Sequence, residues 1–169
     1  MKRVLSIAAL GLAAACGGAG GSTSNASDTI AIEDLPQIAV SEAPSTTFTS
    51  MLNGVRSDAG VGSVSYNAQL GTAARRHAND MHANEFFSHT GSDGSTIGER
   101  VNDAGYAFSW VGENIAKGQA NEAAALASWQ SSTTGHKENN EMARAEHFAL
   151  AKAGTGENQY WVLVLADPL

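Results

Sequence analysis

Five histidines give this 169-residue chain most of its capacity for acid–base or metal chemistry. Imidazole titrates near neutrality and ligates zinc, so placement decides which of the five can act. His77 falls on an Ala-rich helical stripe and reads as a hydrogen-bonded core residue, while His82 lies near the end of the same helix and faces outward. His147 stands beside Glu146 in a polar segment, where solvent is its default environment. His89, in Ser88-His89-Thr90-Gly91, and His136, in Gly135-His136-Lys137-Glu138-Asn139, are different. Each is read as a loop residue with glycine close by, where a side chain can be held over a cleft.

Between these two in sequence lies Val111-Gly112-Glu113-Asn114-Ile115, whose apolar neighbours predict burial. A carboxylate there needs a partner. One reading is a structural hydrogen bond from backbone amides or a histidine. The other is metal ligation, because two imidazoles and one carboxylate can hold a divalent ion such as zinc with a fourth position open. Spacing along the chain does not by itself bring His89, Glu113 and His136 together.

The elements that must position them can be read from periodicity and caps. Phe48, Met51, Leu52 and Val55 repeat at helical spacing and the run stops at Gly60, which predicts a first helix. A second begins near Asn67 and carries Leu70, Ala73, Ala74, His77, Ala78 and Met81 on one stripe. Asp93-Gly94 marks a turn, and Thr96 followed by Glu99 has the form of a capping box opening a short helix that ends at Gly105. Phe86 and Phe87 are expected to anchor the His89 loop in the core. Trp110 to Ile115 reads as a short strand, and Asn121 caps a helix presenting Ala124, Leu126 and Trp129. Two β-like runs end the chain, and the last is apolar on both faces, with Tyr160, Val162, Val164 and Ala166 alternating with Trp161, Leu163 and Leu165. A strand covered on both sides predicts an α+β fold, a three-layer α-β-α sandwich. The short connection between the last two runs predicts an antiparallel hairpin in a small, mainly antiparallel sheet.

Composition narrows the partners. The formal charge is −7, and Arg75-Arg76 is the only adjacent basic pair beyond the first three residues, which excludes a phosphate-binding groove for nucleic acid. Lys2 and Arg3 followed by the apolar run Val4 to Ala15 predict a signal peptide over 1–15, too short to span a bilayer. Cys16, the single cysteine, ends a Leu-Ala-Ala-Ala-Cys stretch that resembles a lipobox, so it is read as a lipid-attachment site, with simple secretion as the alternative. Residues 16–47 then form a Gly- and Ser-rich flexible tether, with Ile30 to Val40 a semi-ordered part of it, and 48–169 the folded domain. No heptad or long apolar edge demands a dimer.

Six segments taken in order, Leu52 to Gly60, Ala74 to Met81, Phe86 to Val101, Gly112 to Gly118, Ala127 to Asn139 and Tyr160 to Asp167, resemble the bacterial branch of the CAP superfamily of cysteine-rich secretory, antigen 5 and pathogenesis-related proteins. The resemblance implies an exported α-β-α sandwich whose central cleft gathers two histidines and two glutamates, in some members around a metal. It assigns His89, Glu113 and His136 to that cleft. The second glutamate position, three residues after Trp129, is Ser132 here, and nothing in the motif assigns Glu138 or Glu146 in its place. Ser88 and Ser132 neighbour the candidate residues, yet no Ser-His-Asp set can be assigned, so no catalytic residue is named. The expected function is an exported domain binding a small apolar ligand, an envelope component or a divalent metal. A metal-dependent periplasmic hydrolase and a structural envelope protein are the alternatives.

Overall fold

The structure, a computed structural model, describes residues 44–169. Cys16, the signal-like run and the tether up to residue 43 lie outside the described residues. The first helix, α1 (Thr46–Asp58), starts two residues before the expected domain boundary. Ser45 is the reason: its hydroxyl accepts the Phe48 N–H at 3.0 Å and so caps the helix.

The other elements are β1 (Ser65–Tyr66), α2 (Ala68–Ala83), α3 (Ile97–Asp103), β2 (Phe108–Lys117), α4 (Glu122–Gln130), α5 (His136–Asn140), β3 (His147–Ala153) and β4 (Tyr160–Pro168). Three helices begin where polar side chains cap them. Asn67 accepts from Gln69 and Leu70 N–H, Asn121 accepts from Ala124 N–H, and Thr96 with Glu99 forms the reciprocal box expected from sequence.

The strands form one sheet in the order β1-β3-β4-β2. β4 pairs antiparallel with both β2 and β3, so the sheet is mainly antiparallel, with β1 added parallel to β3. Residue parity then divides the molecule into layers, because successive strand side chains point to opposite faces. Ile115, Ala149, Tyr160, Val162, Val164 and Ala166 pack against α2 and α3 through Leu70, Ala74, Met81 and Val101. Ala116, Phe148, Leu150, Trp161, Leu163 and Leu165 pack on the other face against α1 and α4 through Phe48, Leu52, Leu126 and Trp129. This is the three-layer sandwich.

Four local expectations change. β2 runs from Phe108 to Lys117, well beyond Trp110 to Ile115, because nearly its whole length pairs with β4. His147 is half-buried at the start of β3, its Nδ1 hydrogen-bonded to the Tyr106 hydroxyl at 2.8 Å, rather than solvated. His136 is the first residue of a short helix, not a loop residue, and Gly135 at φ +96° turns the chain into it. Phe86 packs on the core beside His77, but Phe87 is 51% exposed.

Candidate functional site

Glu113 and Asn114 are neighbours on β2 and so face opposite sides of the sheet. Each serves one of the two loop-region histidines. On the α2–α3 side, the Glu113 side chain is 2% exposed, with Oε2 2.9 Å from Arg100 Nη2 and Oε1 2.8 Å from His89 Nδ1. A carboxylate only accepts, so His89 must donate from Nδ1, which leaves Nε2 as the outward nitrogen of its half-exposed ring. Arg100, 1% exposed, also donates to the carbonyls of Ser95 and His89 and so ties the loop to α3.

His77 completes this side. Its Nε2–H donates to the Ser88 carbonyl at 2.8 Å and lies 3.8 Å from Glu113 Oε1. Desolvation by burial lowers its pKa, and this outweighs the attraction of Glu113 for the charged form. The ring therefore acts as a neutral strut under the His89 loop, as the sequence reading expected of a core histidine.

On the opposite side, Asn114 donates to the His136 carbonyl and to Asn140 Oδ1, each at 2.9 Å, and accepts from Asn139 at 2.9 Å. This amide network holds α5 against β2. Gly112 permits the close approach, since a Cβ there would stand 3.0 Å from Asn139 Oδ1 and 2.7 Å from the Trp110 ring. His136 Nδ1 lies 2.8 Å from Ser132 Oγ. Burial first, and the neighbouring His89 second, lower the His136 pKa, with Glu138 acting the other way.

The three sequence-predicted residues thus belong to one region, but in different roles. Both Glu113 oxygens are engaged, one by Arg100 and the other by His89. Among the described residues no three His, Cys, Asp or Glu side chains form an arrangement that could hold a metal ion. Ligation of a divalent metal by the His89, Glu113 and His136 set expected from sequence would require the carboxylate to give up one of these two partners. Glu138 and Glu146 are exposed, Glu138 acting on His136 only through its charge, and Ser88 meets His77 through its backbone carbonyl.

Arg100 was the residue the sequence reading missed. A signal existed, since Arg100 stands three residues after Ile97 and four before Ala104 on the apolar stripe of α3, where a charge demands a buried partner. The cleft expected beside His136 is present as a groove of about 440 Å³ whose further lining residues the sequence did not single out. Phe87, Ile115, Ala116 and Trp129 give it an apolar lining, and Lys117, Gln119, Ser128, Ser132 and His136 line it with polar groups. Trp129 is fixed there by its indole N–H, which donates to the Ile115 carbonyl at 3.0 Å.

Residues 49–165 match the model of the CAP family, described as the cysteine-rich secretory protein family. The chain belongs to the CAP family. Its fold is similar to that of an extracellular protein containing a SCP domain from Bacillus anthracis str. Ames, with 24% identity and a TM-score of 0.64 over 72% of this chain and 39% of that one. An outer surface protein from Borrelia burgdorferi shares 18% identity with a TM-score of 0.66, over 73% of this chain and 91% of that one. A cysteine-rich secretory protein from Staphylococcus aureus subsp. aureus Mu50 shares 12% with a TM-score of 0.57, over 72% of this chain and 37% of that one. The matched region thus spans about two-fifths of the first and third of these proteins, and at such identities the likeness is one of fold. No match was found among the curated proteins. Within the CAP domain, the Gly-Glu-Asn motif has a mechanical meaning in this chain: close packing, orientation of His89, and seating of the helix that carries His136.

Proposed function

We propose that this CAP domain is a binding module whose groove takes a small apolar ligand, with His136 meeting the ligand's polar head. The observation that carries this is the exposed Phe87 in a groove that Ile115, Ala116 and Trp129 also line, an apolar ring left in solvent with other apolar side chains around the same recess. The volume of about 440 Å³ falls in the range of small-molecule sites. A medium-chain fatty acid such as octanoate is the probe. Octanoate titrated into the full chain should bind, and Phe87→Asp should weaken it roughly tenfold or more, since covering a phenyl ring contributes about 1.5–3 kcal/mol. Equal affinity in the two proteins would remove the groove as the site. While Glu113 keeps its two partners, a divalent metal would have only the two imidazoles to hold it, fewer than the three protein ligands of a catalytic zinc site. The metal-dependent hydrolase is therefore the weaker reading.

The same proposal places the domain outside the cytoplasm. Supporting it are the Lys2-Arg3 and Val4 to Ala15 pattern, Cys16, and the extracellular and outer surface proteins whose fold it shares. Among the described residues no helix is long and apolar enough to cross a membrane, so attachment would rest on Cys16. Cys16→Ser is expected to move the protein from the membrane fraction to the soluble fraction in its native host. A parent protein already wholly soluble would end the lipid-anchor reading.

A further inference from the structure

Three polar groups converge on one serine oxygen. The Thr134 backbone N–H donates to Ser132 Oγ at 3.2 Å, and the Thr134 hydroxyl lies 2.9 Å from the same atom. With the Thr134 N–H on its acceptor side and His136 Nδ1 2.8 Å away, the Ser132 hydroxyl can donate its proton to that nitrogen in the tautomer that carries the ring proton on Nε2. A serine whose proton rests on an imidazole nitrogen is the starting geometry of nucleophilic acyl transfer. This pair does not stand on open surface: both residues line the groove that Ile115, Ala116 and Trp129 also line.

We propose that Ser132 is a nucleophile, with His136 as its general base, and that it accepts acyl groups from activated acyl esters, aryl esters or thioesters, whose chain lies in the groove. The inference rests on the apolar-ligand reading of that groove and names the ligand's class. Ser132 Oγ forms a bond to the acyl carbonyl carbon while its proton passes to His136 Nδ1. The bond from that carbon to the leaving oxygen or sulfur then breaks, and the leaving group takes the proton from Nδ1. An acyl-serine and a free alcohol or thiol result, with no change of oxidation state. Water entering where the leaving group stood then gives a proton to Nδ1 and bonds to the carbonyl carbon, the bond to Ser132 Oγ breaks, and Ser132 recovers the proton as the carboxylic acid is released. The dyad offers general-base help to the attack, so it suits esters with good leaving groups.

His136 and Ser132 are well placed for testing because both are partly exposed and neither fills the core. The full chain is incubated with p-nitrophenyl octanoate, and acylation is followed by mass spectrometry with peptide mapping. The parent should carry one octanoyl group on Ser132, Ser132→Ala should carry none in that peptide, and His136→Gln should acylate about a hundredfold more slowly. Ser131→Ala, which alters the adjacent hydroxyl, should behave as the parent. An unmodified Ser132 peptide in the parent, or an unchanged rate in His136→Gln, would overturn the proposal. Octanoate binding measured in parallel separates the two readings: binding without acylation removes the nucleophile and leaves the groove, whereas loss of both removes both.

Discussion

Arg100→Met is expected to destabilise the domain by about 3–5 kcal/mol, the usual cost of leaving one member of a buried ion pair without its partner. Glu113 would remain 2% exposed with no cation against Oε2. The carbonyls of Ser95 and His89 would also lose the guanidinium, Ser95 keeping the Gly91 N–H. Lysine would not replace arginine here, because the three acceptors are reached by the two terminal nitrogens of one planar fork, Nη1 to Ser95 and Nη2 to both His89 and Glu113. Urea unfolding of the parent, Arg100→Met, Glu113→Gln and the double variant measures the effect. The double variant should lose less than the sum of the singles, since removing both charges leaves neither unpaired. A loss below about 0.5 kcal/mol for Arg100→Met, the range of ordinary surface changes, would show that the pair does not hold the site.

Arg56→Met should be comparably severe, by about 3 kcal/mol or more, for a different reason. Arg56 is wholly buried, and its hydrogen bonds go to four backbone carbonyls: Gly62, Asn140, Met142 and Ala145. Burial lowers its pKa, and the carbonyl oxygens serve in place of the water it has lost. Methionine fills much of the space and leaves several buried acceptors unmade, each costing about 1–3 kcal/mol. Because Asn140 and Met142 belong to α5 and the turn after it, the damage should reach the site. Amide exchange should accelerate through residues 136–145 more than through α2, and thermal unfolding should register the global loss. Uniform exchange rates across both regions would show that Arg56 does not govern the α5 side.

These two arginines also mark the limit of sequence reading. Caps and periodicity were legible because they are local. Asn67 and Asn121 cap their helices through residues two or three positions away, and Thr96 and Glu99 complete a box within one turn. The two apolar faces of β4 predicted layers on both sides, and the short link before Tyr160 predicted its antiparallel pairing with β3. By contrast, β1 is two residues long, and it exists as a strand only because β3 offers an edge to pair with. Likewise α5 carries no side-chain cap, and it is seated by Asn114 from another element.

The candidate residues were divided in the same way. Their chemical types, and the family pattern in which they stand, singled out His89, Glu113 and His136 without any coordinates. What each one does was decided by partners 13 to 24 positions away in three of the cases: Arg100 and His89 on Glu113, and Asn114 on the backbone of His136. Glu113 reads as a candidate ligand in sequence and is paired with Arg100 in the fold, and Ser132 stands in the place of a glutamate in sequence and lies within hydrogen-bond distance of His136 in the fold. By itself, the sequence determined the layers, the helix starts and which side chains can do chemistry, since these follow from periodicity and neighbours within a turn. Only the tertiary structure decided which charge neutralises which, and which side chains line the groove beside His136, because burial and pairing depend on segments that meet through folding.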